Sequence, residues 1–469
     1  MSFLRNAALY TDFYELTMAQ GYFYDGKSSE EAVFDYFYRE NPFKGGYALF
    51  AGLNDLIDTI LHLRFDKEDI EFLKERGFRP EFLEFLKGFR FTGTIRSVKE
   101  GEVVFPFIPI VEVQAPIIQA QLIETLLLNI LNFSSLIATK ASRMRYAAGN
   151  RTLLDFGLRR SQGLGGIQAT LASFVGGIEA TSNVYAARER NLRLSGTMAH
   201  SWIQSFPSEL EAFMAYAHHY PNQTTLLVDT YDTLKSGVPN AIIVGKHLEK
   251  IGASLSAIRI DSGDLAYLSR RARIQLDEAG LNKVKIAVSN QLDEYIIKSL
   301  LDQGAPIDIF GVGTRLVTGH DESALDGVYK MSKFAKQPKI KISENIVKVN
   351  FPDLKNVFRF SRENGEFQAD AISLEKEKSV VKMYHPYFPE KNMELSTFST
   401  EQLLQPVVKN GQLVRTLNTI EEASNYAKSR LACLSSEYRR FEYPHQYKVG
   451  ISKRLQNLQR KLIDSHRMK

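Results

Sequence analysis

Between residues 135 and 330, short apolar runs alternate with longer stretches of helical periodicity. Leu153–Phe156, Thr225–Val228, Ala257–Ile260, Val284–Val288 and Ile307–Phe310 read as strands. Asn240–Ile251, Leu265–Ala279 and Gln291–Gln303 lie between them and are long enough for helices. Repeated strand–helix units imply parallel strands joined by right-handed crossovers. Polar residues follow the apolar runs: Arg159 after Phe156, Asp229 after Val228, Asp261 after Ile260, Ser289 and Asn290 after Val288, Gly311 after Phe310.

The flanking segments lack this rhythm. Asp12–Tyr22 reads as a helix whose N-cap comes from Thr11 and Asp12, with Glu15 at capping-box spacing. Ala32–Tyr38 reads as a strand, and Phe91–Phe105 as one or two more. Ala115–Leu131 is the most apolar stretch, but Gln119, Gln121, Glu124 and Asn129 interrupt it, as in a buried amphipathic helix. Past residue 330 basic residues become dense, alternation appears in Ile340–Val349, and the tail after Ile451 patterns as a basic amphipathic helix. These patterns predict a mixed α+β domain over 1–134, a catalytic domain over 135–330, and a C-terminal segment over 331–469 that packs partly back on the first. Polar strand ends also occur on open doubly wound sheets. Their number here favours a TIM-like (β/α) barrel, with an additional mixed α+β domain.

Composition narrows the class only modestly. The chain has 469 residues, 44% of them apolar, and a formal net charge of +5 with no long single-sign block. An anionic small substrate suits this balance as well as nucleic acid, which is not expected as a partner; nor is a membrane. Cys433 is the only cysteine, which excludes an intrachain disulfide or a cysteine-based metal cluster. With an N-terminus lacking a secretion-signal core, this predicts a cytoplasmic protein.

Four segments carry candidate chemistry. Gly196-Thr197-Met198-Ala199-His200-Ser201-Trp202 sets a histidine among small residues, at what reads as the end of a short strand. Histidine's near-neutral titration suits transient proton or phosphoryl transfer. Arg259-Ile260-Asp261-Ser262-Gly263-Asp264 ends a buried strand, where charges are costly unless paired or ligand-bound. Either Arg259 bridges Asp261 or Asp264, or its planar guanidinium holds a substrate carboxylate or phosphate, with Asp229 and Asp261 binding Mg²⁺ or ribose hydroxyls. Gly311-Val312-Gly313-Thr314 is either a tight turn or a phosphate nest of bare N–H groups and the Thr314 hydroxyl. Phe156 is either core or a platform for a flat heteroaromatic ring, and Arg159 either faces solvent or points at an anion.

The ordered set of TDFYELTMAQGYF, FYRENPF, DFGLRRSQG, GTMAHSW, LVDTY, IRIDSGDL, SNQLDE, GVGTRLVT and the late PHQY resembles the nicotinate phosphoribosyltransferases, from Thr11 to beyond Tyr329. The resemblance implies joining of nicotinate to phosphoribosyl pyrophosphate, giving nicotinate mononucleotide and pyrophosphate with Mg²⁺, coupled to ATP hydrolysis. It implies that His200 becomes phosphorylated by ATP, that Tyr14, Thr197 and Arg259 contact nicotinate, and that Thr314 contacts the phosphoribosyl donor. Phe156 and Tyr14 would sandwich the pyridine ring with Arg159 nearby, and Asp229 and Asp261 would bind metal or ribose. It further implies a homodimer with sites at the interface, where Tyr14 serves the neighbouring subunit. A nicotinamide-using relative is the nearest alternative. A non-enzymatic nucleotide-binding protein on the same barrel is another, against which the joint presence of His200, Asp229, Arg259 and Asp261 argues.

Overall fold

The computed structural model describes residues 7–342, 349–388 and 390–467, so most of the 340–349 alternation lies outside the described residues. The chain forms two compact units, one from Met1–Thr139 with Ala324–Lys469 and one from Lys140–Ser323.

In the first unit, strand Glu31–Tyr38 pairs antiparallel with Val111–Pro116 on one side and with Gly327–Phe334 on the other. Seven strands form this sheet, in the order Gln337–Pro338, Gly327–Phe334, Glu31–Tyr38, Val111–Pro116, Thr94–Ser97, Gln405–Lys409, Gln412–Leu413. Glu31–Tyr38 is buried from Ala32 onward, so its pattern is a continuous apolar and aromatic run and does not alternate. Phe34 stacks on Tyr329 of the neighbouring strand at 4.7 Å. A second sheet of six strands comes wholly from the C-terminal segment.

Buried ion pairs join the two ends of the chain within this unit. Arg359, fully buried, grips Asp370 through Nε and Nη2 at 2.9 and 2.8 Å and reaches Glu102 at 2.5 Å. Glu102 also accepts from Arg430 at 2.9 Å and from the Tyr426 hydroxyl at 2.5 Å. Lys355 pairs with Asp35 at 2.8 Å. The PHQY segment belongs here, since Tyr447 stacks on Phe105 and its hydroxyl donates to Asp370 at 3.1 Å.

The predicted capping box at Asp12 does not form. Helix Phe13–Tyr24 follows Asp12, but the Asp12 carboxylate accepts from the Thr125 hydroxyl at 2.9 Å. Glu15 turns inward and accepts from Gln121 Nε2 at 2.6 Å. Residues of the Ile117–Ala148 stretch such as Ile118, Leu126, Leu127 and Leu131 are buried. By length and composition that stretch could cross a membrane, yet 67% of its most apolar window is buried in the protein.

The second unit holds a parallel sheet of six strands, in the spatial order Ala180–Thr181, Thr152–Asp155, Ile309–Val312, Lys285–Ser289, Ala257–Ile260, Thr225–Leu227. Ile258, Ile260, Ile286, Val288 and Phe310 are fully buried, as expected for strands covered on both faces. Helices Val238–Lys250, Leu265–Glu278 and Glu294–Asp302 alternate with the strands. Ile309–Val312 pairs back on Thr152–Asp155, the first strand of the unit. Among the described residues no pairing joins Ala180–Thr181 to Thr225–Leu227. The sheet is thus a half-barrel, where the sequence predicts a barrel. Among the described residues an isolated bridge, Thr181 to Leu194, continues the series past Ala180–Thr181.

Candidate active site

Neighbouring strands of the parallel sheet end nearly level. Leu227 lies opposite Arg259, Ile260 opposite Val288, Ser289 opposite Gly311, and Val312 opposite Asp155, which faces Thr181. Residues just past these positions therefore share one edge of the sheet, the edge where α/β proteins gather ligands.

Arg259 is central to that edge. Its Nη1 donates to the Thr197 hydroxyl, while Nε is buried without a partner. Burial pushes its pKa below the ordinary arginine value, Asp261 and Asp229 push it back up, and Arg159 lowers it again. Those three side chains are thus close enough to act on it. Among the described residues Arg259 forms no ion pair with Asp261 or Asp264. Asp264 instead caps helix Leu265–Glu278, accepting the Tyr267 N–H at 3.0 Å.

The two carboxylates are held from below. Asp229 Oδ2 accepts the Asp261 N–H at 2.9 Å and the Ser262 hydroxyl at 2.5 Å, whereas Oδ1 is buried and unpaired. Asp261 Oδ1 accepts from the Ser289 hydroxyl. A buried carboxylate oxygen without a donor is costly in a finished site and suits one that a ligand completes. A separate group, Asp293, His320 and Asp321, also brings ligand atoms within 4.8 Å of one another, but Asp293 is already paired with Arg315.

His200 departs from the expected strand end. It opens the short helix His200–Gln204, and Gly196–Ala199 before it is irregular, because the backbone there finds no strand partner. Its Nδ1 lies 3.1 Å from the Thr230 hydroxyl, one residue past Asp229, so His200 belongs to the same edge.

Gly311 also differs from expectation. The last strand runs two residues further than its apolar run, to Val312, so Gly311 sits inside the ladder opposite Ser289 and not in a phosphate-binding turn. Its bare Cα makes room for the half-buried Phe156 ring, since a Cβ there would meet ring carbons at 2.6 Å. Phe156 continues the pairing of its own strand, donating its N–H to Val312 O at 2.7 Å. Gly313 caps the short helix Thr314–Val317, with Thr314 half-buried at its start. Arg159 and Arg160 are both exposed in the turn after Phe156.

Tyr14 belongs to the first unit, where it is 48% exposed on helix Phe13–Tyr24. Burial, with Glu124 and Glu15 nearby, pushes its pKa up. Sequence reasoning passed over Asp155, which is fully buried and accepts from Gly157 N–H, Thr170 and Thr181, each at 2.8 Å. It fastens the turn that carries Phe156. It also passed over Thr230, whose only signal was its place beside Asp229.

A parallel half-barrel with an arginine, two carboxylates and a histidine on one edge has the build of an α/β enzyme with its ligand site at the strand ends. Residues 9–132 match the nicotinate phosphoribosyltransferase N-terminal domain, 152–364 the nicotinate phosphoribosyltransferase family, and 354–459 its C-terminal domain. A nicotinate phosphoribosyltransferase of Bacillus subtilis is 41% identical, over 95% of this chain and 93% of the relative. One from Caenorhabditis elegans is 35% identical over 95% and 92%. The crystal structure of human nicotinic acid phosphoribosyltransferase superposes with a TM-score of 0.84 at 31% identity, covering 96% of this chain and 99% of that one. This chain belongs to the nicotinate phosphoribosyltransferase family.

Proposed function

We propose that this chain joins nicotinate to phosphoribosyl pyrophosphate, forming nicotinate mononucleotide and pyrophosphate, with ATP hydrolysis coupled through phosphorylation of His200. The observation that carries the reading is Arg259, with a buried unpaired Nε, set among Thr197, Asp229 and Asp261 on one sheet edge. Its planar guanidinium suits the nicotinate carboxylate, which an amide substrate would not match in charge. The pyridine nitrogen is itself the nucleophile. It bonds to ribose C1 as the bond from C1 to the pyrophosphate oxygen breaks, so the protein's task is to position reactants and stabilise charge.

Phe156, braced by Gly311, would stack on the pyridine ring, and Arg159 would face anionic substrate. Thr314, with Gly313, would contact the phosphoribosyl donor. Tyr14 would supply the other face of the ring to a neighbouring subunit's site in a homodimer. The unpaired Oδ1 of Asp229, with Asp261 beside it, fits a hard divalent cation, and Mg²⁺ bound there would neutralise pyrophosphate. Phosphate on His200 would add negative charge at the edge that carries Thr230 and Asp229 and so bias substrate binding, without entering the sugar chemistry. The strand order of the half-barrel supports a TIM-like barrel whose remaining side starts at the Thr181–Leu194 bridge. In this role the protein would act in the cytoplasm, in pyridine nucleotide salvage.

An assay of the purified chain with phosphoribosyl pyrophosphate and Mg²⁺, with and without ATP, tests this. Nicotinate should give the mononucleotide, faster with ATP, and nicotinamide should give little. No product from either base under any condition overturns the reading, and preference for nicotinamide overturns the substrate assignment.

A further inference from the structure

We propose that Thr230, held in place by Glu209, positions His200 for phosphoryl transfer; the proposal rests on the phosphohistidine reading above. The direct contact is the Thr230 hydroxyl, 3.1 Å from His200 Nδ1. A hydroxyl at Nδ1 fixes the ring's rotation, and where it accepts the Nδ1 proton it leaves the lone pair on Nε2. In the transfer, that lone pair bonds to the γ-phosphorus of ATP. The bond from phosphorus to the β–γ bridging oxygen breaks, and ADP leaves with its electrons. A ring free to turn would seldom aim its lone pair along that line.

The backbone carrying Thr230 is clamped on both sides. Just beyond it, Asp232 Oδ1 accepts the N–H groups of Leu234 and Lys235 at 3.1 and 2.9 Å and starts the π-helical turn Thr233–Gly237. Such turns interrupt regular helices and tend to mark functional segments. Gly237 ends the turn against the strand, where a Cβ would fall 1.8 Å from Val228 O, so no other residue allows this return. Glu209 then fastens the turn. Its Oε2 accepts from the Ser236 hydroxyl at 2.8 Å and from Asn240 Nδ2 at 2.9 Å, although the residue is only 6% exposed. A carboxylate so buried is expensive unless its hydrogen bonds serve a purpose.

The same helix holds the histidine from the other side. Trp202, two residues after His200, donates its indole N–H to Ala212 O at 3.1 Å, and Ala212 lies on helix Glu209–His219, which Glu209 begins. One helix therefore ties down both the turn that follows Thr230 and the short helix that His200 opens. Outer groups that orient a reacting imidazole in this way carry much of its efficiency.

The test uses the full chain with ATP labelled in its γ-phosphate and Mg²⁺, without base or sugar, and follows acid-labile, base-stable label on protein. Thr230→Val should slow labelling by roughly tenfold or more, and Thr230→Ser should restore most of it, at unchanged melting temperature. Glu209→Gln should slow it as well. Native-rate labelling of Thr230→Val, or no recovery in Thr230→Ser, overturns the proposal. Label lost in His200→Ala but unchanged in Thr230→Val overturns the proposal alone. Label retained in His200→Ala overturns the phosphohistidine reading and this proposal with it.

Discussion

The Phe156 ring lies across Gly311, so close that a Cβ on that glycine would stand 2.6 Å from two ring carbons. Two strand ends thereby fix one aromatic platform. Gly311→Ala should push the ring off its seat, raising KM for nicotinate with a smaller effect on the phosphoribosyl donor. Overpacking of this kind costs about 1–3 kcal/mol, visible in denaturant unfolding. Unchanged nicotinate kinetics would mean that Phe156 does not meet the base.

Arg259→Lys keeps the charge but loses the planar fork, and with it the Thr197 bond in its present form. Turnover per unit of nicotinate should fall by at least roughly tenfold, as for other losses of a charge-assisted contact of about 1.4 kcal/mol or more. Steady-state kinetics with nicotinate as the varied substrate checks this.

Chelation with EDTA should abolish turnover, and Mg²⁺ should restore it. Asp229→Asn removes the unpaired anionic oxygen and should raise the Mg²⁺ concentration for half-maximal rate by about tenfold. A magnesium titration of both proteins is decisive. An unaltered Mg²⁺ requirement would take Asp229 out of the metal's surroundings.

The pH dependence of stability should carry a mark of Glu15. Burial raises its pKa to about 7 from 4.5, the nearby Glu124 adds to this, and the hydrogen bond from Gln121 works against it. A raised folded-state pKa means that the fold prefers the protonated acid. The preference is complete below the unfolded value and fades as pH climbs from 4.5 through about 7. Glu15→Gln should therefore flatten the decline of unfolding free energy over that window. Urea unfolding from pH 4.5 to 8 measures it.

Arg359→Leu should separate two effects. The guanidinium is fully buried between Asp370 and Glu102, and removing it leaves both acids short of a partner. Loss of one member of such a cluster costs about 3–5 kcal/mol, so the melting temperature should drop sharply. Arg359→Leu with Asp370→Leu should recover part of the loss.

The strands of the parallel unit were legible because their burial on both faces leaves continuous apolar runs, and the polar residues behind them mark the edge of the candidate site. Boundaries were less so. Gly311 looked like a terminus because a glycine ends an apolar run, yet the ladder accepts it for the sake of Phe156. His200 looked like a strand end for want of any signal that helix His200–Gln204 would tie itself to Ala212 through Trp202. The capping box failed for a similar reason, since local spacing could not foresee that Thr125, far along the chain, would take Asp12. The expected barrel was too complete, since among the described residues the parallel sheet stops at a half-barrel, and short strands such as Ala180–Thr181 carry almost no pattern from which its extent could be read.

The first unit is assembled from both ends of the polypeptide, and this sets a timetable for synthesis. When Asp35 and Glu102 leave the ribosome, their counter-ions Lys355 and Arg359 have not yet been translated. The intervening segment Lys140–Ser323 emerges whole and free to compact, while the earlier acids wait in water. A nascent chain halted before Lys355 thus carries all of Lys140–Ser323 but lacks the cations of Asp35 and Glu102 and the sheet strands Gln405–Lys409 and Gln412–Leu413.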